Sequence, residues 1–523
     1  MARGERASHW ENASAWHQHP MRVSAGDSSA VFRTVSSLTS SPDRSSRIVT
    51  QIESYLDELS PRRAHVRLIF SSGLGVFLDG YDSAMMAVAI VFIAPAWRLT
   101  PAALGLLAAS TLLGAMLGGA IGGRCADLYG RKWLYLIDIG TFLIAALLSA
   151  VAWNFASLFI FRMLVGIGIG VDYPLSATFL AEFAPRKRRG AMMTWSFGFF
   201  FYAGSVAAML VGFMLAHFGP DAWRFLFASG AVPALGLLIL RRTLPESPRW
   251  LLRKRSPEQA LAALRQFHPD GAPGRTRGGE ALGAAPEAHA TGRWRELFTR
   301  PYLRRTALIT LPWFLMDMVD YGFSIYIPTL LLAFGMRSFG GSILLSATLS
   351  SLGTIGFLFV AGRIERSGRI RAQSMGFLAL AAGMAALGLI AMSGTTAIFP
   401  IAACILFVKL ANAFPDSTSG VLPVELFPTE LRASAHGLAT SFSRIGAATS
   451  VFLFPILQRA WGIGPLLLVI AAAQLAASFM TLLTGEEPAG RSLEEITHGV
   501  RLKPTAQTVT SAQELSAPLV PEK

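Results

Sequence analysis

Twelve apolar stretches, most of them about 20 residues or longer, dominate this sequence. A run of that length leaves a chain few options. At 1.5 Å per residue, about 20 apolar residues cross the ~30 Å hydrocarbon core of a bilayer as a helix. Six stretches precede residue 241: Val66–Pro95, Pro101–Gly123, Trp133–Trp153, Phe155–Phe183, Gly190–Phe218 and Ala222–Leu240. Six follow a basic, Gly- and Pro-rich interval: Ala307–Phe334, Gly341–Gly362, Met375–Met392, Ala397–Val424, Gly437–Leu457 and Gly464–Leu483. Only 15% of the 523 residues are charged, well below the quarter usual in soluble domains. The reading is an all-α membrane protein of twelve transmembrane helices in two six-helix bundles.

The net charge of +14 does not point to nucleic acid, because the basic residues fall between apolar runs. Arg124, Arg131 and Lys132 lie between stretches two and three, Arg186 to Arg189 between four and five, and Arg363, Arg366, Arg369 and Arg371 between eight and nine. The alternate connections carry little beyond Arg98, Arg337 and Arg459. The positive-inside rule then puts both termini and the central loop in the cytoplasm. The expected division is a largely disordered cytoplasmic segment at 1–60, a six-helix bundle at 61–240, a cytoplasmic central loop at 241–305, a second bundle at 306–485 and a cytoplasmic tail at 486–523. Within the first segment no signal peptide is visible, Met21 is an alternative start, and Gln51–Leu59 reads as a short amphipathic helix. Cys125 and Cys404 read as packing residues, with no disulfide framework.

The two halves repeat each other. Asp79 and Asp82 recur as Asp317 and Asp320, both shifted by 238 residues and both inside apolar runs. Three residues apart on a helix, each pair shares a face. Intramembrane carboxylates cost ~3 kcal/mol each and are kept where they face a bundle interior or a wet cavity. The loop pattern Gly123-x3-Asp127-x2-Gly130-Arg131-Lys132 has a copy at Ala361-x3-Glu365-x2-Gly368-Arg369 with the same shift. Glu182-Phe-Ala-Pro leading to Arg189 recurs as Glu425-Leu-Phe-Pro leading to Arg432. Parallel six-helix repeats place a solute at their interface near the midplane and rock about it.

These landmarks resemble the major facilitator superfamily over about residues 60–485. Pro245-Glu246-Ser247-Pro248-Arg249-Trp250-Leu251 is similar to the motif after span six of its sugar-porter-like members. Gly166-Ile-Gly-Ile-Gly-Val-Asp172-Tyr173-Pro174, Trp313-Phe-Leu-Met-Asp317 and Asp79-x-x-Asp82 resemble the fourth, seventh and first spans of the phosphate:proton and metabolite:proton symporters. The resemblance implies that Asp79, Asp82 and Asp172 handle a proton and that Tyr173, Trp313 and Asp317 line the substrate site, to which Asp320 is added as partner of the second pair. It also implies that Asp127 sits against the start of span eleven, that Arg131 links helix ends, that Glu182/Arg189 and Glu425/Arg432, with Glu365 and Arg369, form cytoplasmic latches, and that helices such as Pro257–Phe267 brace that face. The chain departs from those symporters at Asp416, where they carry Asn, at Arg444, where they carry Lys, and at Phe200, where they carry Gln. Arg444 suits bidentate holding of a carboxylate, either Asp416 or a substrate acid.

Each aspartate alone could instead cap a helix break or pair with a buried cation such as Arg162 or Lys409. Trp313, Tyr173 and Tyr321 could stack on a ring or pack between helices. His436 reads as a helix-end residue. Gly166-x-Gly168-x-Gly170 lies within a span with no preceding strand, which argues against a nucleotide fingerprint and for close helix approach. No nucleophile–base set, ATP-binding loop or metal cluster is evident, so neither an enzyme nor a cofactor is expected and the energy source should be an ion gradient. The expected function is proton-coupled symport of a small polar solute, whether sugar, organic acid or phosphate, by a monomer in the cell inner membrane. The alternatives are an exporter on the same scaffold and a non-transporting solute sensor.

Overall fold

The computed structural model describes residues 63–254, 257–267 and 294–489. The readings made above for residues 1–62, for the middle of the central loop and for the tail from residue 490 lie outside these. Twelve helices are long and apolar enough to cross a membrane: His65–Ala96 (span 1), Pro101–Tyr129 (2), Lys132–Ala150 (3), Phe155–Phe183 (4), Arg189–Leu215 (5), Phe218–Arg241 (6), Arg300–Ala333 (7), Gly340–Ser367 (8), Arg369–Met392 (9), Ile398–Glu425 (10), Arg432–Trp461 (11) and Ile463–Thr484 (12). The described residues contain no β-strand. A helix satisfies its backbone internally, which a bilayer demands at several kcal/mol per exposed polar group.

Local sequence sets the helix starts. Thr100 accepts from the Ala103 amide ahead of span 2, with Pro101 at the first helical position. Asn154 and Ser157 form a reciprocal capping box at span 4, and Ser338 accepts from Gly341 at span 8. Several spans run past their apolar stretch into the basic loops, span 7 by a full seven residues before Ala307. Span 5 contains a π-helical turn at Trp195–Phe199, and span 6 turns at Gly230.

Within the first half, span 1 packs on span 5 and span 2 on span 4. Glycine permits the second contact: a Cβ on Gly166 would fall 1.9 Å from the Thr111 carbonyl, and one on Gly170 2.2 Å from that of Ala115. The halves meet along two seams, span 2 against span 11 and span 5 against span 8. In the first seam Gly119 and Gly437 face each other so closely that a Cβ on Gly437 would lie 2.3 Å from the Gly119 carbonyl. The short helices Pro248–Lys254 and Pro257–Phe267 lie on the face that carries the basic loops, where the Phe267 ring packs 4.5 Å from Phe183.

Candidate functional site

A guanidinium ties the two halves together at mid-depth. Arg444, on span 11, donates from Nη2 to Asp79 of span 1 (2.9 Å) and from Nη1 to Asp317 of span 7 (2.6 Å). Its carbon lies 4.9 Å from the Tyr173 ring centre and 4.8 Å from that of Tyr321, a cation held between two aromatic faces. Tyr321 also donates to Asp79 (3.2 Å), and Trp313 Nε1 donates to Asp317 (3.2 Å). All these side chains are buried. Arg444 thus takes Asp79 and Asp317 rather than Asp416. Asp416 stands half-buried in span 10, in the field of Asp320, Asp317 and Arg444.

The other predicted carboxylates do not join this group. Asp82 pairs with Arg162 of span 4, which also donates to Thr111 (2.9 Å) and rests on the Phe227 ring. Asp320 faces Lys409 of span 10 at 3.7 Å and accepts from Ser324, which in turn receives Lys409 Nζ at 2.5 Å. Both are pairings with a buried cation of the kind the sequence left open. Asp172 points away from Arg444 altogether. It pairs with Arg241 of span 6 at 2.5 Å, although its neighbour Tyr173 lines the centre. Of the acids of spans 1, 4 and 7, Asp79 and Asp317 therefore meet at Arg444, and Asp172 does not join them.

A cavity opens beside the bridge, on the side away from the basic loops. It is lined by Ser83, Ser205, Tyr202, Asp320, Ser324 and Lys409, among others, and encloses about 530 Å³ with the water at its mouth included. Its walls come from spans 1 and 5 of one half and 7, 8 and 10 of the other, so a solute there touches both. Phe200 does not face it. That ring packs edge-on against Phe70 of span 1, at 5.4 Å, because the π-helical turn just before it adds a residue and re-aims the face of span 5. Phe201 and Tyr202 reach the cavity instead. His436, expected at a helix end, lies one turn inside span 11, edge-on to Trp313 at 5.4 Å, where it floors the central site.

On the basic-loop face the ion pairs form two matching sets. Asp127 accepts from the Ser434 amide (2.8 Å) and hydroxyl (2.7 Å) at the start of span 11. Glu365 accepts from the Ala191 amide (3.2 Å) at the start of span 5. Arg131 holds Asp127 and Glu182, and Arg369 holds Glu365 and Glu425. Arg432 reaches across to Glu182 at 3.5 Å, while Arg189 is buried at the start of span 5. Glu182 thus takes Arg131 and, across the seam, Arg432, and Glu425 takes Arg369.

On this face sequence reasoning missed two glutamates, as it missed Arg241 beside Asp172. Glu246 accepts from the amides of Arg131 and Lys132, capping span 3, and Glu487 accepts from those of Arg369 and Ile370, capping span 9. Their spacing of 241 residues, close to the repeat shift of 238, was the available signal.

Twelve spans in two related sets of six, with charges buried along the seam between them, define a secondary transporter of the major facilitator type, a protein that transports and does not catalyse. The chain belongs to the sugar (and other) transporter family, whose model matches residues 68–499. It is 31% identical over 443 residues to the inner membrane metabolite transport protein YgcS of Escherichia coli, covering 83% of this chain and 94% of that one. It is 28% identical over 525 residues to the inorganic phosphate transporter 1-1 of rice, Oryza sativa, covering 86% and 96%. Among solved structures it shares the fold of the proton:xylose symporter XylE of E. coli bound to 6-bromo-6-deoxy-D-glucose, with TM-score 0.71 and 23% identity over 83% of this chain and 98% of that one.

Proposed function

We propose that this chain is a proton-coupled symporter, of the phosphate:proton and metabolite:proton group, that brings a small polar organic solute across the inner membrane as a monomer. The observation that carries the reading is the Arg444 bridge, which joins one carboxylate of each half through a single cation. Residues 61–240 and 306–485 act as the two moving bodies, with both termini and the 241–305 loop in the cytoplasm, where the Lys- and Arg-rich connections belong.

A proton reaching Asp79 from the outer side, through the neighbourhood of Asp82, removes one pole of the bridge. Arg444 is then left with Asp317 and is free to take an acidic or hydroxylic solute group. The solute enters by the cavity at Asp320 and Lys409 and settles between Tyr173, Trp313 and Asp416. Asp416 favours an organic solute over a doubly charged phosphate, because it adds like charge to the site. Asp172 receives the proton on the inner side. The latches at Asp127, Arg131, Glu182, Arg189, Glu365, Arg369, Glu425 and Arg432 close the cytoplasmic mouth while the outer one is open.

A thermal-shift screen of sugars, carboxylates and phosphate identifies the solute, and uptake in proteoliposomes with an imposed pH gradient tests the coupling. Asp79→Asn should abolish gradient-driven accumulation and keep solute counterflow. Wild-type accumulation by that variant would refute the assignment, and binding without movement in the wild type would leave a sensor as the answer.

A further inference from the structure

The first half holds a second buried charge cluster with no contact to Arg444. Arg241, at the end of span 6, places Nη1 2.5 Å from Asp172 Oδ1 and 3.3 Å from Asp138 Oδ2. Its Nη2 donates to the Ser71 carbonyl (3.2 Å) and to Ser176 Oγ (3.1 Å), and its guanidinium carbon lies over the Tyr135 ring, 4.1 Å from the ring centre. Ser176 donates to Asp172 Oδ1 (3.1 Å), and the Tyr135 hydroxyl lies 3.4 Å from Ser176. The groups facing the cluster are therefore Tyr135 and Asp138 from span 3, Asp172 and Ser176 from span 4, Arg241 from span 6, and the uncharged Ser71, Ser72 and Gly75 from span 1.

One positive charge here serves two carboxylates on the same nitrogen. The three charged side chains are at most 4% exposed. Asp172 Oδ2 has no hydrogen-bond partner and is pressed against span 1, where a Cβ on Gly75 would fall 1.8 Å from it. If both carboxyls were ionised, an uncompensated negative charge would sit where water cannot reach it, which buried pairs avoid by keeping one proton. Asp138 lies six residues from the loop end of span 3, about 9 Å at 1.5 Å per residue. The cluster therefore stands between the Arg444 bridge and the basic-loop face.

We propose that Asp138 and Asp172 share a single exchangeable proton over Arg241, forming a proton station on the loop side of the central site. Asp138 is the residue this adds, and Arg241 positions both carboxyls. The station deepens the symport reading, since it gives the proton a place to wait after leaving Asp79. The chemistry is one O–H bond, made at a carboxyl oxygen and broken when water entering from the loop face accepts the proton.

Infrared spectroscopy of the purified full chain, titrated in H2O and in D2O without solute, tests this. The wild type should show a protonated-carboxyl band that shifts in D2O. Asp138→Asn and Asp172→Asn should each remove that one titrating carboxyl, because either variant leaves a single carboxylate matched to Arg241. Arg241→Lys, which keeps the charge, should retain the band. Bands unchanged in both Asn variants, or a band that fails to shift in D2O, would overturn the proposal. Because neither solute nor gradient enters the measurement, its failure is distinct from failure of the uptake assay.

Discussion

Arg444 is asked to hold two carboxylates at once, and its shape allows it. A guanidinium presents separate N–H groups in a fixed fork, whereas an ammonium is a single point charge. In this molecule the two arms are divided between Asp79 and Asp317, so each half grips a different nitrogen. Arg444→Lys keeps the charge and loses one grip, about 1.5–3 kcal/mol for a hydrogen bond to a charged group. Solute affinity measured by thermal shift should fall by roughly tenfold or more, since 1.4 kcal/mol corresponds to a factor of ten. Asp416→Asn, which leaves the bridge intact, should keep or tighten binding of an anionic solute. Equal, indifferent affinity in both variants would remove Arg444 from the solute site. Asp79 and Asp317 were legible in the sequence because a repeated carboxylate pair stands out against an apolar background. The partners of Asp172 were not. Residues 172 and 173 are adjacent in the chain yet about 100° apart around a helix, so one faces Arg241 and the other the central site. Arg241 itself reads as the first residue of a loop.

At the scale of single helices, the start of span 11 depends on an acid from the other half. Asp127 satisfies the Ser434 amide, one of the four donors a helix start leaves open. The partial positive charge of that helix end adds to the attraction. Asp127→Ala removes both the cap and a buried partner of Arg131, so it should weaken the closed loop face by more than the ~1 kcal/mol of a lost cap. Turnover in proteoliposomes should drop while solute binding in detergent is largely kept. Unchanged turnover would refute the role. The helices themselves were legible to within a few residues on their apolar sides, since bilayer thickness fixes their length. Their polar extensions and the π-helical turn in span 5 were not, because hydrophobicity carries no signal for either. That turn re-aims Phe200 onto span 1, and only the three-dimensional register shows it.

At the scale of the whole molecule, the two ends of the seam are in opposite states. Ion pairs fill the basic-loop face, and the cavity opens on the far side. Glu182 holds a residue of each half, Arg131 and Arg432, with all three buried. Removing one partner of a buried pair costs about 3–5 kcal/mol, enough to redistribute two states that differ by a few kcal/mol. Spin labels at the loop ends of spans 2 and 11 should therefore report a longer separation in Glu182→Gln than in the wild type. An unchanged distance distribution would mean that this ion pair does not hold the face shut. The repeat in the sequence foretold that such pairs exist. It could not say which acid takes which arginine, because the seam is crossed by side chains from segments hundreds of residues apart.

Glu246 and Glu487 carry one more implication. Each lies just beyond the last helix of its half and fastens that end to the start of the third helix, spans 3 and 9 respectively. Each set of six is thereby laced into a closed hoop by its own trailing strand of chain. A hoop of that kind resists shear among its members, so displacement has to appear at the junction between hoops. The stiffness of each set of six is thus fastened at the basic-loop face, by two glutamates that stand apart from the Arg444 bridge.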